Sequence, residues 1–171
     1  MEFYDVLRNR HSVRKFQDKD MDKAKVRDIV EAGIKAPSAG NLQSYRICIV
    51  RSKSVREALV PACEYQDFIA EAPLLLVFCA DLKRSESRYG QRGFELFATQ
   101  DATIAAAYCQ LAATAEGLSS VWVGSLDQLE VSRVLHLMSF EVPVAMLAIG
   151  HPAEAAGITE RRPAKEIVRE Y

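Results

Sequence analysis

The chain has 171 residues, 49% of them hydrophobic and 26% charged, values that suit one domain with a buried core and exclude disordered or collagen-like chains. Lysine and arginine together number 22 against 23 aspartates and glutamates, for a net charge of -1, so nothing in the balance favours a nucleic acid or an acidic membrane surface. The opening Met-Glu-Phe-Tyr-Asp is not expected to be a signal peptide, and apolar stretches such as Leu74–Ala80 are too short to span a bilayer.

Phe3, Val6 and Leu7 mark a short amphipathic helix. A basic turn follows, Arg10-His11-Ser12-Val13-Arg14-Lys15. A second helix is expected over Asp22–Lys35, with Val26, Ile29, Val30 and Ile34 on one face, and Ala36-Pro37 stops it because the residue before a proline disfavours helical geometry. Tyr45–Arg51 reads as a strand rich in β-branched residues. Ser54–Ala72 reads as helix, with Pro61 placed to split it. Leu74–Ala80 is a buried strand stopped at Asp81, and Lys83–Gln91 is polar with no strong pattern.

Phe94–Glu116 is the longest helix candidate, with Gly117 as its cap. From Ala102 to Ala115 it is apolar on nearly every face, as in a helix buried all round, and Ala106 is expected in packed surroundings. Ser120–Gly124 is a third strand, Leu126–Met138 a helix and Val144–Ile149 a fourth strand, before a polar tail that turns basic at Arg161-Arg162. The pattern is α+β or mixed, in three layers. Cys48, Cys63, Cys79 and Cys109 lie far apart with no C-x-x-C pair, which points to buried structural thiols and a reducing cytoplasm.

The common catalytic signatures are missing. The sequence has no G-x-G, no phosphate-loop lysine motif, no H-E-x-x-H and no G-x-S-x-G, and its three histidines are not at metal-ligand spacing. Four dispersed polar positions remain. Arg10, His11, Ser12 and Arg14 offer donors to an anionic oxygen ligand, although basic residues after a helix also complement its dipole. Pro37-Ser38-Ala39-Gly40-Asn41-Leu42-Gln43 could admit a planar ligand close to its backbone, or be an ordinary turn. Val123-Gly124-Ser125 could leave amides open at a strand end, and Arg161-Arg162-Pro163 could be a solvated basic tail.

In order along the chain these segments resemble the FMN-dependent nitroreductase family, over essentially residues 2 to 169. Arg10-His11-Ser12-Val13-Arg14-Lys15-Phe16 resembles its Arg-Arg/His-Ser-Val/Ile-Arg-x-Phe/Tyr opening, and Ala36-Pro37-Ser38-Ala39-Gly40-Asn41-Leu42-Gln43 its Ala-Pro-Ser-x-x-Asn-x-Gln segment. Gln66-Asp67-Phe68-Ile69 through Ala72-Pro73 to Ala80-Asp81, Gly117-Leu118 through Trp122-Val123-Gly124, Gly150-His151-Pro152 and Arg161-Arg162-Pro163 are similar to its later motifs. The resemblance implies a three-layer α-β-α sandwich around a mainly antiparallel sheet, as a single domain over residues 1–171, with a C-terminal tail reaching the partner subunit of a homodimer.

It also implies FMN at the subunit interface. Arg10, His11, Ser12, Arg14 and Arg161, with Arg162 beside them, would hold the phosphate and ribityl chain. Pro37, Ser38, Ala39 and Asn41 would come from the other subunit to meet the ring, with Gln43 close by, while Val123, Gly124 and Ser125 would set amides near flavin N5 and O4. No metal and no catalytic side chain is expected, because the hydride chemistry belongs to the flavin. The implied activity is NAD(P)H-driven reduction of small acceptors such as nitroaromatics, quinones or flavins by ping-pong transfer. The rivals are other flavin chemistry on the same fold, or a flavin-binding module without turnover. The chain is shorter than the better-known nitroreductases, and Lys83–Gln91 leaves little room for their extra helices over the substrate.

Overall fold

In a computed structural model that describes residues 1–157 and 159–171, the chain forms eight α-helices and four strands among the described residues. Phe3–Asn9 is α1 and Lys23–Ile34 is α2, whose cap Asp22 accepts a hydrogen bond from the Ala24 N–H at 2.8 Å. Tyr45–Val50 is β1. The expected helix over Ser54–Ala72 is divided at Pro61, as the ring demands. Lys53–Leu59 forms α3, Pro61–Cys63 a single 3-10 turn, and Phe68–Glu71 the short α4.

Leu74–Asp81 is β2 and Leu82–Arg92 is α5. This helix corrects the patternless reading of Lys83–Gln91. It carries almost no apolar stripe, and forms because Asp81 caps it by accepting from the Arg84 N–H at 2.9 Å. A π-helical turn, Gly93–Phe97, leads into α6, Ala98–Ala115. Ser119–Val123 is β3, Gln128–Leu135 is α7 with Asp127 as its cap, Glu141–Gly150 is β4 and Ala164–Ile167 is α8. The fourth strand starts three residues earlier than expected and runs through Pro143. A proline is tolerated there because the register slips opposite it, between Phe78 and Cys79.

The strands run in the order β1-β2-β4-β3, antiparallel throughout. Alternation along β2 sends Leu74, Leu76 and Phe78 to one face and Leu75, Val77 and Cys79 to the other. The first face packs on α2 and α6, the second on α3, α4 and α7. The two central strands are therefore buried on both faces, and the molecule is a three-layer α-β-α sandwich. No helix among the described residues is long and apolar enough to cross a membrane.

Close approach of α2 to α6 depends on Gly33, where a Cβ would lie 2.4 Å from the Cys109 sulfur. Cys63, Cys79 and Cys109 are buried and Cys48 half-buried, all as free thiols. Burial pushes Cys63 up to about 11 and Cys109 up to about 12, so both stay protonated packing residues. The long helix departs from expectation in one respect. Ala102, Ala105, Ala106 and Cys109 are buried against the sheet, but Thr103, Ala107 and Tyr108 face outward in the single chain. Ala106 is thus packed in the chain's own core, and only the neighbouring face is free for another chain.

Candidate functional site

The residues picked out by sequence fall into two groups at opposite edges of the sheet. Along the β3 edge, the segment after α1 lies beside the strand: Ser12 bridges Ser120, and the Val13 N–H donates to the Ser120 carbonyl at 3.1 Å. This extension is pinned from the other side, where the Glu154 carboxylate accepts from the Arg14 N–H at 2.7 Å and Phe16 bridges Pro152. Arg10, His11, Ser12 and Arg161 are thereby gathered around a pocket of about 350 Å³, together with Leu7, Arg8 and Thr159. Arg14 turns to the adjacent side, its guanidinium 5.9 Å from the Phe68 ring centre. Arg162 is engaged within the tail by Glu166, at 3.3 Å, and does not line the pocket.

Two features of this edge are not explained by contacts within the chain. The Ser120 hydroxyl is buried with no partner. Residues that bridge across strands project to the same face, which sets that unpaired hydroxyl beside Ser12. Gly124 is exposed just past the end of β3, and a Cβ built on it would approach only the Trp122 indole, at 3.4 Å. No contact within the chain therefore requires a glycine there, whereas close approach by an outside group would. Val123 is buried, and the Ser125 hydroxyl donates to the Glu64 carboxylate.

The second group sits at the β1 edge. Ala39–Asn41 forms a 3-10 turn in which Gly40 and Asn41 have φ of 54° and 57°, and Gln43 follows at 49°. Non-glycine residues hold such backbone only when their surroundings over-determine it, and here they do. The Ser38 hydroxyl accepts from the Gln43 N–H at 2.9 Å, and the Gln43 amide donates to the Asn41 side-chain oxygen at 2.8 Å. Arg84 and Arg88 of α5 donate to the carbonyls of Leu42 and Gly40, and a Cβ on Gly40 would strike the Tyr89 hydroxyl. The polar helix absent from the sequence reading is the brace of this loop.

Sequence reasoning also missed Asp101. Its side chain is buried on α6, with one carboxylate oxygen accepting from the Ala39 N–H at 2.9 Å and the other from the Ser44 N–H at 3.3 Å. An acid inside an alanine-rich helix was the available signal. Replacing Asp101 with alanine strands two backbone donors and should cost about 1.5–3 kcal/mol, the scale of hydrogen bonds to a charged group. Denaturant unfolding should show that loss, and hydrogen exchange should accelerate at Ala39 and Ser44; unchanged exchange would mean the loop stands without this clamp.

The chain is thus an α-β-α sandwich with one group of polar and basic residues at each edge of its sheet. The sequence profile described as the nitroreductase family matches residues 7–66 and 62–151, and the chain belongs to that family. It is 30% identical over 186 residues to a protein of Thermus thermophilus named NADH dehydrogenase, covering 93% of this chain and 91% of that one. It is 34% identical over 166 residues to an NADPH-dependent oxidoreductase of Staphylococcus saprophyticus, covering 88% of this chain but 65% of the longer relative. Among solved structures, nitroreductase A from Vibrio parahaemolyticus superposes with a TM-score of 0.90 at 29% identity, covering 99% of this chain and 76% of its own. The hypothetical oxidoreductase YcnD from Bacillus subtilis does so at 0.91 and 27%, with 99% and 74% covered.

Proposed function

We propose that residues 1–171 form a single FMN-binding domain that acts, as a homodimer, in NAD(P)H-dependent reduction of small acceptors such as nitroaromatics, quinones or flavins. The observation that carries this reading is the separation of the two residue groups. Arg10, Ser12 and Arg161 lie along β3, while Ala39–Asn41 precedes β1 at the far edge of the sheet. Within one chain the two groups stand three strand spacings apart, roughly 14 Å, and do not line one pocket. A two-fold dimer brings one chain's β3 edge to the other's loop and completes two equivalent sites.

In this arrangement Arg10, Ser12 and Arg161 receive the phosphate and ribityl chain, with His11 alongside and Arg14 reaching in from the adjacent side. A phosphate carries about −1.5 to −2 charges, and arginine presents it with a planar fork of donors. Val123, Gly124 and Ser125 offer a backbone shelf to the ring, and Pro37, Ser38, Ala39, Asn41 and Gln43 of the second copy close it from beyond. Arg162, held by Glu166, acts as a brace for the tail rather than as a ligand. Bound FMN supplies the hydride-accepting centre that no side chain provides. The protein's share is binding, orientation and exclusion of water. The names of the Thermus and staphylococcal relatives support nicotinamide nucleotides as electron donors.

The dimer reading has its own support. Phe3, Tyr4 and Leu7 on α1 and Tyr108 on α6 expose large apolar surface on packed neighbouring helices. The tail exposes Ile167, Val168 and Tyr171, and β1 has a strand on only one side, which suits a tail that crosses to the partner. The free thiols fit a reducing cytoplasm. One exposed ring face shared in turn by donor and acceptor predicts parallel double-reciprocal lines. Under anaerobic conditions NADH or NADPH should bleach the yellow protein. A yellow protein that neither nucleotide bleaches would contradict the catalytic reading, and intersecting lines would contradict the shared face.

A further inference from the structure

Beyond Gly124 lies an open cleft of about 620 Å³ lined by Pro61, Glu64, Tyr65, Ser125, Leu126 and Asp127. Two of its lining residues are held against their own preference. Glu64 and Tyr65 follow each other at φ 55° and 56°, a conformation that glycine adopts freely and that costs other residues about 1–3 kcal/mol each. The turn is fixed around them: the Tyr65 N–H donates to the Val60 carbonyl at 3.1 Å, and the Asp127 N–H to the Ala62 carbonyl at 2.7 Å. The Glu64 carboxylate accepts the Ser125 hydroxyl. Tyr65 is 74% exposed. The strained pair sets a largely exposed aromatic ring beside a carboxylate at the mouth of a cleft, a cost that burial of the ring does not offset.

We propose that this cleft seats the electron acceptor, and that Tyr65 and Glu64 set its class: a planar aromatic compound without an acidic substituent. The Tyr65 ring offers a face for stacking. Glu64 and Asp127 give the cleft a negative rim, which repels a carboxylate seated directly against it and tolerates a neutral or cationic substituent there; the phosphates of a nucleotide or flavin would lie outside this rim. The inference rests on the proposed oxidoreductase reading, because Ser125 adjoins the shelf assigned to the ring.

Its test uses paired compounds of equal shape. The wild-type protein should show a KM roughly tenfold lower for para-nitrobenzamide than for para-nitrobenzoate, the scale of one partly screened charge contact. Glu64→Gln should close that gap to within about twofold, and Tyr65→Ala should raise KM for both compounds. Tyr65→Gly should raise the melting temperature by a few degrees as the strain is released, and still raise KM. Calorimetric binding of naphthamide and naphthoate, which needs no electron transfer, should give the same order of affinity. Equal affinities for amide and acid in the wild type, a gap that survives Glu64→Gln, or a stabilised Tyr65→Gly protein with unchanged KM would each overturn the proposal. A protein that is never bleached by NAD(P)H would instead refute the oxidoreductase reading, and the calorimetric comparison would still decide the character of the cleft.

Discussion

Replacing Arg10 with alanine should weaken FMN binding by about 1.5–3 kcal/mol, a roughly 10- to 150-fold rise in Kd, and leave riboflavin binding almost unchanged. The reasoning is electrostatic and local. Arg10 is half-buried in the pocket it shares with Ser12 and Arg161, and a guanidinium about 4 Å from a phosphate gains up to about 4 kcal/mol before desolvation. Part of that is lost to water at this open edge, which brings the expectation down to the scale of one charge-assisted bond. Arg10→Lys should recover only part of the loss, because an ammonium is a point charge without the fork. Riboflavin is the internal control, since it carries the ring and no phosphate. Fluorescence titration of both ligands against both variants measures all four affinities, and equal losses for FMN and riboflavin would remove the phosphate from this pocket.

Replacing Ala107 with arginine should separate the subunits and discharge the flavin without unfolding the chain. Ala107 faces outward beside Tyr108 on α6, a helix that packs against α1. In a packed interface an arginine there would be an unpaired buried charge, worth about 3 kcal/mol or more against association. Ala106 is the instructive contrast. It is fully buried against the sheet, so a charge there would break the monomer and say nothing about the dimer. Sedimentation should show the Ala107→Arg protein as a monomer with native circular dichroism and no bound flavin. A flavin-loaded monomer would refute a site shared between chains.

Much of the fold was legible in the sequence because its signals are local. The β-branched and apolar runs of β1, β2 and β4 announce strands, Asp22 and Pro37 bracket α2, and Pro61 marks where α3 has to stop. The helix α5 was not legible, because its inward face is carried by Leu82, Ser85 and the long side chains of Arg84, Arg88 and Tyr89 rather than by a hydrophobic stripe. The site was legible as a set of segments in order, and not as a geometry. Asp101 acts across 62 residues to reach Ala39, and such long-range polar clamps leave no period in a sequence. Glu64 and Tyr65 gave no sign of their left-handed backbone, since residue type there argues against it.

If each site is made by two chains, subunit complementation will show it. One variant carries Arg10→Ala, and the other carries Ala39→Trp to fill the seat offered by the loop at the β1 edge. Each homodimer should bind FMN poorly, because each has lost one half of both sites. The heterodimer, co-expressed and purified through two different tags, should contain one intact site and one doubly broken site. One tightly bound FMN per heterodimer is expected, with the affinity of the unaltered protein; a heterodimer that binds FMN no better than either homodimer would place the whole site within a single chain.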